Sequence, residues 1–133
     1  MRTQVFLALP LLALSATQSY ADAYKCTVRS TGDVDSSGRL LEDGAFADSY
    51  LGAEFVVDTV TGKMLGAVTN SNEYGTPTVV DPGSEDQAFK VVTIYRPYTS
   101  LTYLTILVYE DGPEKTFLYV TGTSVMSGVC REY

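Results

Sequence analysis

Ala53-Glu54-Phe55-Val56-Val57-Asp58-Thr59-Val60-Thr61-Gly62-Lys63 decides the fold class. Phe55 and Val57 fall on one face of an extended chain, and Glu54, Val56 and Asp58 on the other. This is the period-two alternation of a half-buried strand. Thr61-Gly62-Lys63 then reverses the chain, with Gly62 free to take the positive φ of a tight hairpin. A one-residue slip would turn Phe55 and Val57 to solvent, so the pattern specifies its own register.

The same grammar runs outward in both directions. Tyr24, Cys26 and Val28 alternate with Lys25, Thr27 and Arg29, predicting a first strand, followed by a turn-rich loop over 31–38. Residues 40–51 read as a short helical turn lined by Leu40, Leu41, Ala45 and Phe46, or, because of Gly44 and Gly52, as loop or a brief strand. A return strand is predicted over 63–69, a polar loop over 70–77 and a short strand around Val79. Strands over 88–96, 101–110, 115–121 and 124–131 complete the set. The segment 101–110 is apolar on both faces and would aggregate on an open edge, which predicts a position inside the sheet. The whole is an all-β domain of about eight antiparallel strands, a small β-barrel or β-sandwich.

The N-terminus carries an export pattern. Arg2 precedes an apolar run over 5–14, and Ser19-Tyr20-Ala21 supplies small residues at a cleavage site. Residues 1–21 are predicted to be a secretory signal peptide and 22–133 a single domain, periplasmic or secreted. No later segment is long and apolar enough to be a transmembrane span. In an oxidising compartment Cys26 and Cys130 are expected to pair. That bond would close a loop of about 100 residues, worth up to about 4–5 kcal/mol, and would set the first and last strands side by side. The order of signal, early Cys, Phe-Val-Val-Asp, Thr-Gly-Lys and closing Gly-x-Cys resembles small exported bacterial proteins. That resemblance implies no activity. Ser127-Gly128-Val129-Cys130-Arg131 departs from the Ser-Gly-x-x-Tyr hallmark of exported lysozyme inhibitors by having Arg131 in place of Tyr, and no residue is carried over from that family.

Nine Lys and Arg stand against 16 Asp and Glu, a formal charge of −7, which opposes nucleic-acid or anionic-lipid binding. With no histidine in the chain, a His-activated serine or cysteine nucleophile is excluded. The carboxylate pairs Glu42–Asp43, Glu85–Asp86 and Glu110–Asp111 sit in or beside predicted turns, without the apolar setting that raises a catalytic pKa. The chain is therefore expected not to be an enzyme.

Two candidate sites remain. Asp33-Val34-Asp35-Ser36-Ser37-Gly38 matches the first half of a calcium loop, with Asp33, Asp35, Ser37 and the Arg39 carbonyl as oxygen donors. The match stops at position twelve, where Gly44 replaces the bidentate Glu, and surface turns favour the same residues. Calcium is the one cofactor the sequence offers. Tyr95, Arg96 and Tyr98 cluster at a strand end around Pro97, with Tyr74 in an earlier loop, where binding residues tend to sit on a rigid scaffold. The expected function is non-catalytic binding of a protein or polymer partner, inhibitor-like in form. The alternatives are an apolar small ligand held inside a barrel and a calcium-stabilised adhesion or structural module.

Overall fold

The structure, a computed structural model, describes residues 21–133. Apart from Ala21, the predicted signal segment lies outside the described residues. Nine strands and one short helix follow in order: β1 (Ala23–Val34), β2 (Leu40–Leu41), α1 (Ala45–Tyr50), β3 (Glu54–Asp58), β4 (Met64–Gly66), β5 (Pro77–Pro82), β6 (Phe89–Tyr95), β7 (Ser100–Ile106), β8 (Lys115–Thr121) and β9 (Ser124–Glu132). All pair antiparallel in one sheet of order β4-β3-β1-β9-β8-β7-β6-β5, with β2 added on β1. The sheet curls into a half-barrel.

The inward positions are those the alternation marks. Cys26, Val28, Phe55, Val57, Phe89, Val91, Leu104, Ile106, Phe117 and Met126 are all buried. Phe55 and Phe117 are three strand steps apart in the sheet, yet their ring centroids stand 5.2 Å apart, edge to face. The curl brings them together. It also carries the β3–β4 turn over to the far end of the sheet. A Cβ on Gly62 would lie 2.7 Å from Val91 Cγ1 and 3.2 Å from Val79 Cγ2. The two ends of the sheet thus meet through packing, with no ladder between β4 and β5. Gly62, at φ 74°, serves both the turn and this close approach.

β1 runs beyond its predicted end. A bulge between Val28 and Ser30 shifts its register against β9. Thr31, not Ser30, then faces inward, and the strand continues to Val34 where a loop over 31–38 is predicted. Opposite the bulge sits Gly128, whose missing side chain is a requirement. A Cβ there would fall 2.0 Å from the Thr27 carbonyl oxygen and 2.9 Å from Phe117 Cε1. β1 and β9 carry the disulfide: Cys26 and Cys130 are direct cross-strand partners, with Cα atoms 3.9 Å apart and S–S 2.01 Å. β7 lies between β6 and β8 as predicted, but ends at Ile106, because Val108 and Glu110 N–H groups turn back to the carbonyls of Ile106 and Leu107. The return strand predicted over 63–69 stops at Gly66. Asn70, buried, takes over from there. Its Oδ1 accepts from Met64 N–H at 2.8 Å and its Nδ2 donates to the Gly62 carbonyl at 2.8 Å, pinning the chain between β4 and β5. In the ambiguous stretch both readings hold: β2 pairs briefly, then α1 packs on β1 with Phe46 and Tyr50 in ring contact at 4.8 Å.

One cross-sheet row is polar. Thr93, Thr102, Thr121, Ser124 and Asp33 are successive register partners from β6 to β1. Ser124 Oγ donates to Asp33 Oδ1 at 2.8 Å. Thr93 Oγ1 is buried with no hydrogen-bond partner among the described residues, and such a group costs about 1–3 kcal/mol. Thr93→Val should therefore stabilise the protein by about 1 kcal/mol, seen as a higher urea midpoint at unchanged slope. Gly128→Ala should have the opposite effect, a loss of about 3 kcal/mol or more, checked by the same urea titration. An unchanged midpoint would show that β1 and β9 do not need this close approach.

Candidate functional site

β6 ends at Tyr95 and β7 begins at Ser100, so the hairpin between them holds Arg96, Pro97, Tyr98 and Thr99. The Arg96–Pro97 peptide is cis. A second tight turn, Asn72-Glu73-Tyr74-Gly75, comes from the segment between β4 and β5. Asn72 Oδ1 accepts from Tyr74 N–H at 2.8 Å, and Asn72 N–H donates to the Gly75 carbonyl at 3.1 Å. Sequence local to each turn builds it, and one bond joins them: Arg96 N–H donates to the Tyr74 carbonyl at 2.9 Å. Gly75 allows the join. A Cβ there would lie 2.7 Å from Tyr95 Cδ1 and 3.0 Å from the Ile94 carbonyl oxygen.

The result is a concavity of about 550 Å³ lined by Tyr74, Tyr95, Arg96 and Tyr98, with Asn72, Pro97 and Ser100 completing it. All four tyrosine and arginine residues singled out in the sequence meet here, although Tyr74 precedes β5 and the others lie at or beyond the end of β6. Tyr98 is 90% exposed and Tyr74 56%, while Tyr95 is half-buried. Large aromatic area is thus held outward by a fixed backbone. Ring faces, three phenol hydroxyls, a guanidinium, an amide and a serine hydroxyl offer donors and apolar surface together. No Asp or Glu lines the concavity. Asn72 and Ser100 escaped the sequence reading. Asn72 had a visible signal, the Asn-x-x-Gly spacing of an Asx turn; Ser100 had none.

Tyr119 is buried on β8. Burial pushes its hydroxyl above the ordinary tyrosine range, a hydrogen bond with Thr102 opposes the shift, and Tyr95 and Tyr50 add to it. The Tyr24 hydroxyl is raised in the same sense, by burial first and by Glu132 second.

The calcium candidates lie elsewhere, at the β1–β2 hairpin. Asp35 Oδ1 accepts from Ser37 N–H at 2.8 Å, Ser37 Oγ at 2.6 Å and Arg39 N–H at 3.0 Å. These bonds hold its carboxyl below the ordinary range, the Ser37 hydroxyl first. The Arg39 carbonyl accepts from Asp35 N–H at 2.9 Å. Asp33 turns instead to the β8–β9 hairpin, where Thr123 Oγ1 and Ser124 Oγ donate to it. The two carboxylates are therefore engaged on different partners. Among the described residues no three acidic, Cys or His side chains gather as a metal set. The turn carboxylates do related work: Glu110 Oε2 accepts from Thr116 N–H at 2.8 Å, and Asp86 Oδ1 from Ser84 Oγ at 2.8 Å.

No protein family, curated protein or solved structure matches the chain.

Tyr119 and Tyr24 make the fold sensitive to alkali. Each has a folded pKa raised above its unfolded value, near 10, so the stability they carry is complete below that pH and is lost as pH rises through the folded value. In absorbance titration at the phenolate band, the last tyrosines should ionise together with unfolding. Tyr119→Phe should move alkaline unfolding to higher pH; an unmoved transition would show that Tyr119 does not limit it.

Proposed function

We propose that this chain is a small exported, non-catalytic binding protein that works in the periplasm or outside the cell and engages a protein partner through the Tyr74–Tyr95–Arg96–Tyr98 concavity. The observation that carries the reading is the convergence of these four side chains, from two separate turns, on one backbone-locked surface. Tyrosine and arginine dominate binding hot spots because they offer large contact area and directional donors at low conformational cost. Locking the turns in advance reduces the ordering cost of association. The filling of the inner face by Phe55, Phe89, Phe117, Met64 and Met126 favours this surface over an apolar ligand held within the half-barrel. The inter-strand disulfide suits an oxidising compartment, and no helix among the described residues is long and apolar enough to cross a membrane.

The reading is tested with a photo-crosslinking phenylalanine analogue placed at Tyr98, and at exposed Tyr109 as the control, in cells of the host. A single cross-linked species is expected from position 98 and none from 109. Tyr74→Ala and Arg96→Ala should each deplete it, in line with hot-spot truncations of about 2 kcal/mol or more. Equal cross-linking from both positions, or indifference to the two alanine variants, would sink the proposal. A bound organic mass in native mass spectrometry would move the function to a small ligand.

A further inference from the structure

The partner's chemistry is the further question, and its answer rests on the binding reading above. The chain carries 16 acids against nine cations, and most described cations are already engaged. Lys25 pairs with Glu54, Lys90 with Asp81, and Arg29 and Arg131 share Glu114. Lys115 Nζ donates to the Glu110 carbonyl. The Arg39, Arg96 and Lys63 side chains take part in none of these pairs, and Arg39 stands apart at the β1–β2 hairpin.

Arg96 and Lys63 share one surface. Beside the tyrosine concavity lies a second cleft of about 430 Å³, formed where the β3–β4 turn meets the edge at Pro77. Lys63 and Thr61 line it from the turn, Thr76 and Ser71 from the other side. Asn72 lines both cavities and joins them. No Asp or Glu lines either one. The nearest acid in sequence to Lys63 on its turn is Asp58, whose Oδ1 is held by Val60 N–H, Thr61 N–H and Thr61 Oγ1. Glu73 is exposed at the tip of the adjoining turn and lines neither cavity. An acidic protein thus keeps one stretch of surface free of carboxylates, lines it with donors, and places an uncommitted cation in each half.

We infer that the joined clefts bind an extended acidic peptide segment of the partner, with one carboxylate on Arg96 and a second toward Lys63. Arg suits the first role because its planar fork can take a carboxylate with two parallel hydrogen bonds. Lys suits the second as a compact point charge. Tyr74, Tyr95 and Tyr98 supply apolar ring area between and beside the charges. That mixture fits a peptide with apolar residues among its acids.

The test pans a phage library of random ten-residue peptides on the oxidised protein (residues 22–133), then titrates the leading synthetic peptide by fluorescence anisotropy. Enrichment of Asp and Glu interleaved with aromatic or aliphatic residues is expected. Arg96→Gln should weaken the leading peptide about tenfold or more, and Lys63→Gln several-fold, with affinity falling as salt rises. Both substitutions leave the backbone bonds of residues 96 and 63 available, so thermal melts should match the parent. Peptides enriched without acidic bias would overturn this inference and leave the binding surface standing. So would a library that yields nothing while the Tyr98 cross-link succeeds. Polygalacturonate binding that Arg96→Gln abolishes, with no peptide selected, would assign the site to an anionic polymer and overturn the peptide. Failure of both the panning and the cross-link would remove the binding reading as well.

Discussion

The β1–β9 ladder is the constraint on which the rest of the molecule depends. It pairs the first strand with the last, from Tyr24 opposite Glu132 to Asp33 opposite Ser124, inside the sheet order. On one side hang β3 and β4, on the other the sequential meander from β8 back to β5. The two blocks share one core, since Phe55 packs on Phe117 and Val91 packs against the bare Cα of Gly62 across the concave face. The ladder must therefore form between residues about a hundred positions apart, a costly loop closure. The disulfide, with a sequence separation of 104 residues, is placed where it removes that cost from the unfolded chain. Gly128 makes the same ladder sterically possible, because its bare Cα is what the bulged β1 backbone can approach.

A half-barrel leaves two edges, and each is short or blunted. β4 has three residues. β5 begins and ends with proline and carries a register shift between Val79 and Asp81, devices that interrupt any continuous run of free N–H groups. The apolar β7 is hydrogen-bonded on both sides by β6 and β8. The sheet thus keeps its most aggregation-prone segment interior and exposes its least regular strands.

Much of this was legible in the residues. Alternation around Phe55 and Val57, the two cysteines read beside a predicted export pattern, and the two-faced apolarity of the segment 101–110 lead to the all-β fold, the disulfide and the interior position of β7. What escaped depends on partners distant in sequence. The Val28–Ser30 bulge breaks the period-two signal, so the inward turn of Thr31 cannot be read locally. Asn70 looks like any loop asparagine, and only the returning backbone of Gly62 and Met64 gives it its bonds. The calcium-like spacing was real as a pattern, yet β1 continues through Asp33, and strand geometry hands that carboxylate to Ser124 while Asp35 closes its own turn. Tyr95, Arg96 and Tyr98 were visible as a cluster. That Tyr74 joins them depends on the sheet bringing the segment before β5 back against the end of β6.

The same tertiary arrangement sets the electrostatics of that surface. Asp35 is held below the ordinary carboxyl range by the Ser37 hydroxyl first and by backbone N–H groups of its turn second, and Asp58 and Asp81 by backbone N–H groups of their own turns first. Glu114 is held low by Arg131 and Arg29 on the outer face of β1 and β9. Acids are thus committed to closing turns, and several cations to the convex face or to turn acids. The joined clefts fall outside both schemes, because they arise only where the curl brings the β3–β4 turn and the segment before β5 together. Surface without a structural carboxylate, beside rings fixed by Gly75 and the Arg96–Tyr74 bond, is where a small acidic domain can attract an anion without first displacing one of its own. The backbone that carries its donors is fixed in advance by the turns, so a bound anion would order the side chains and not the loops.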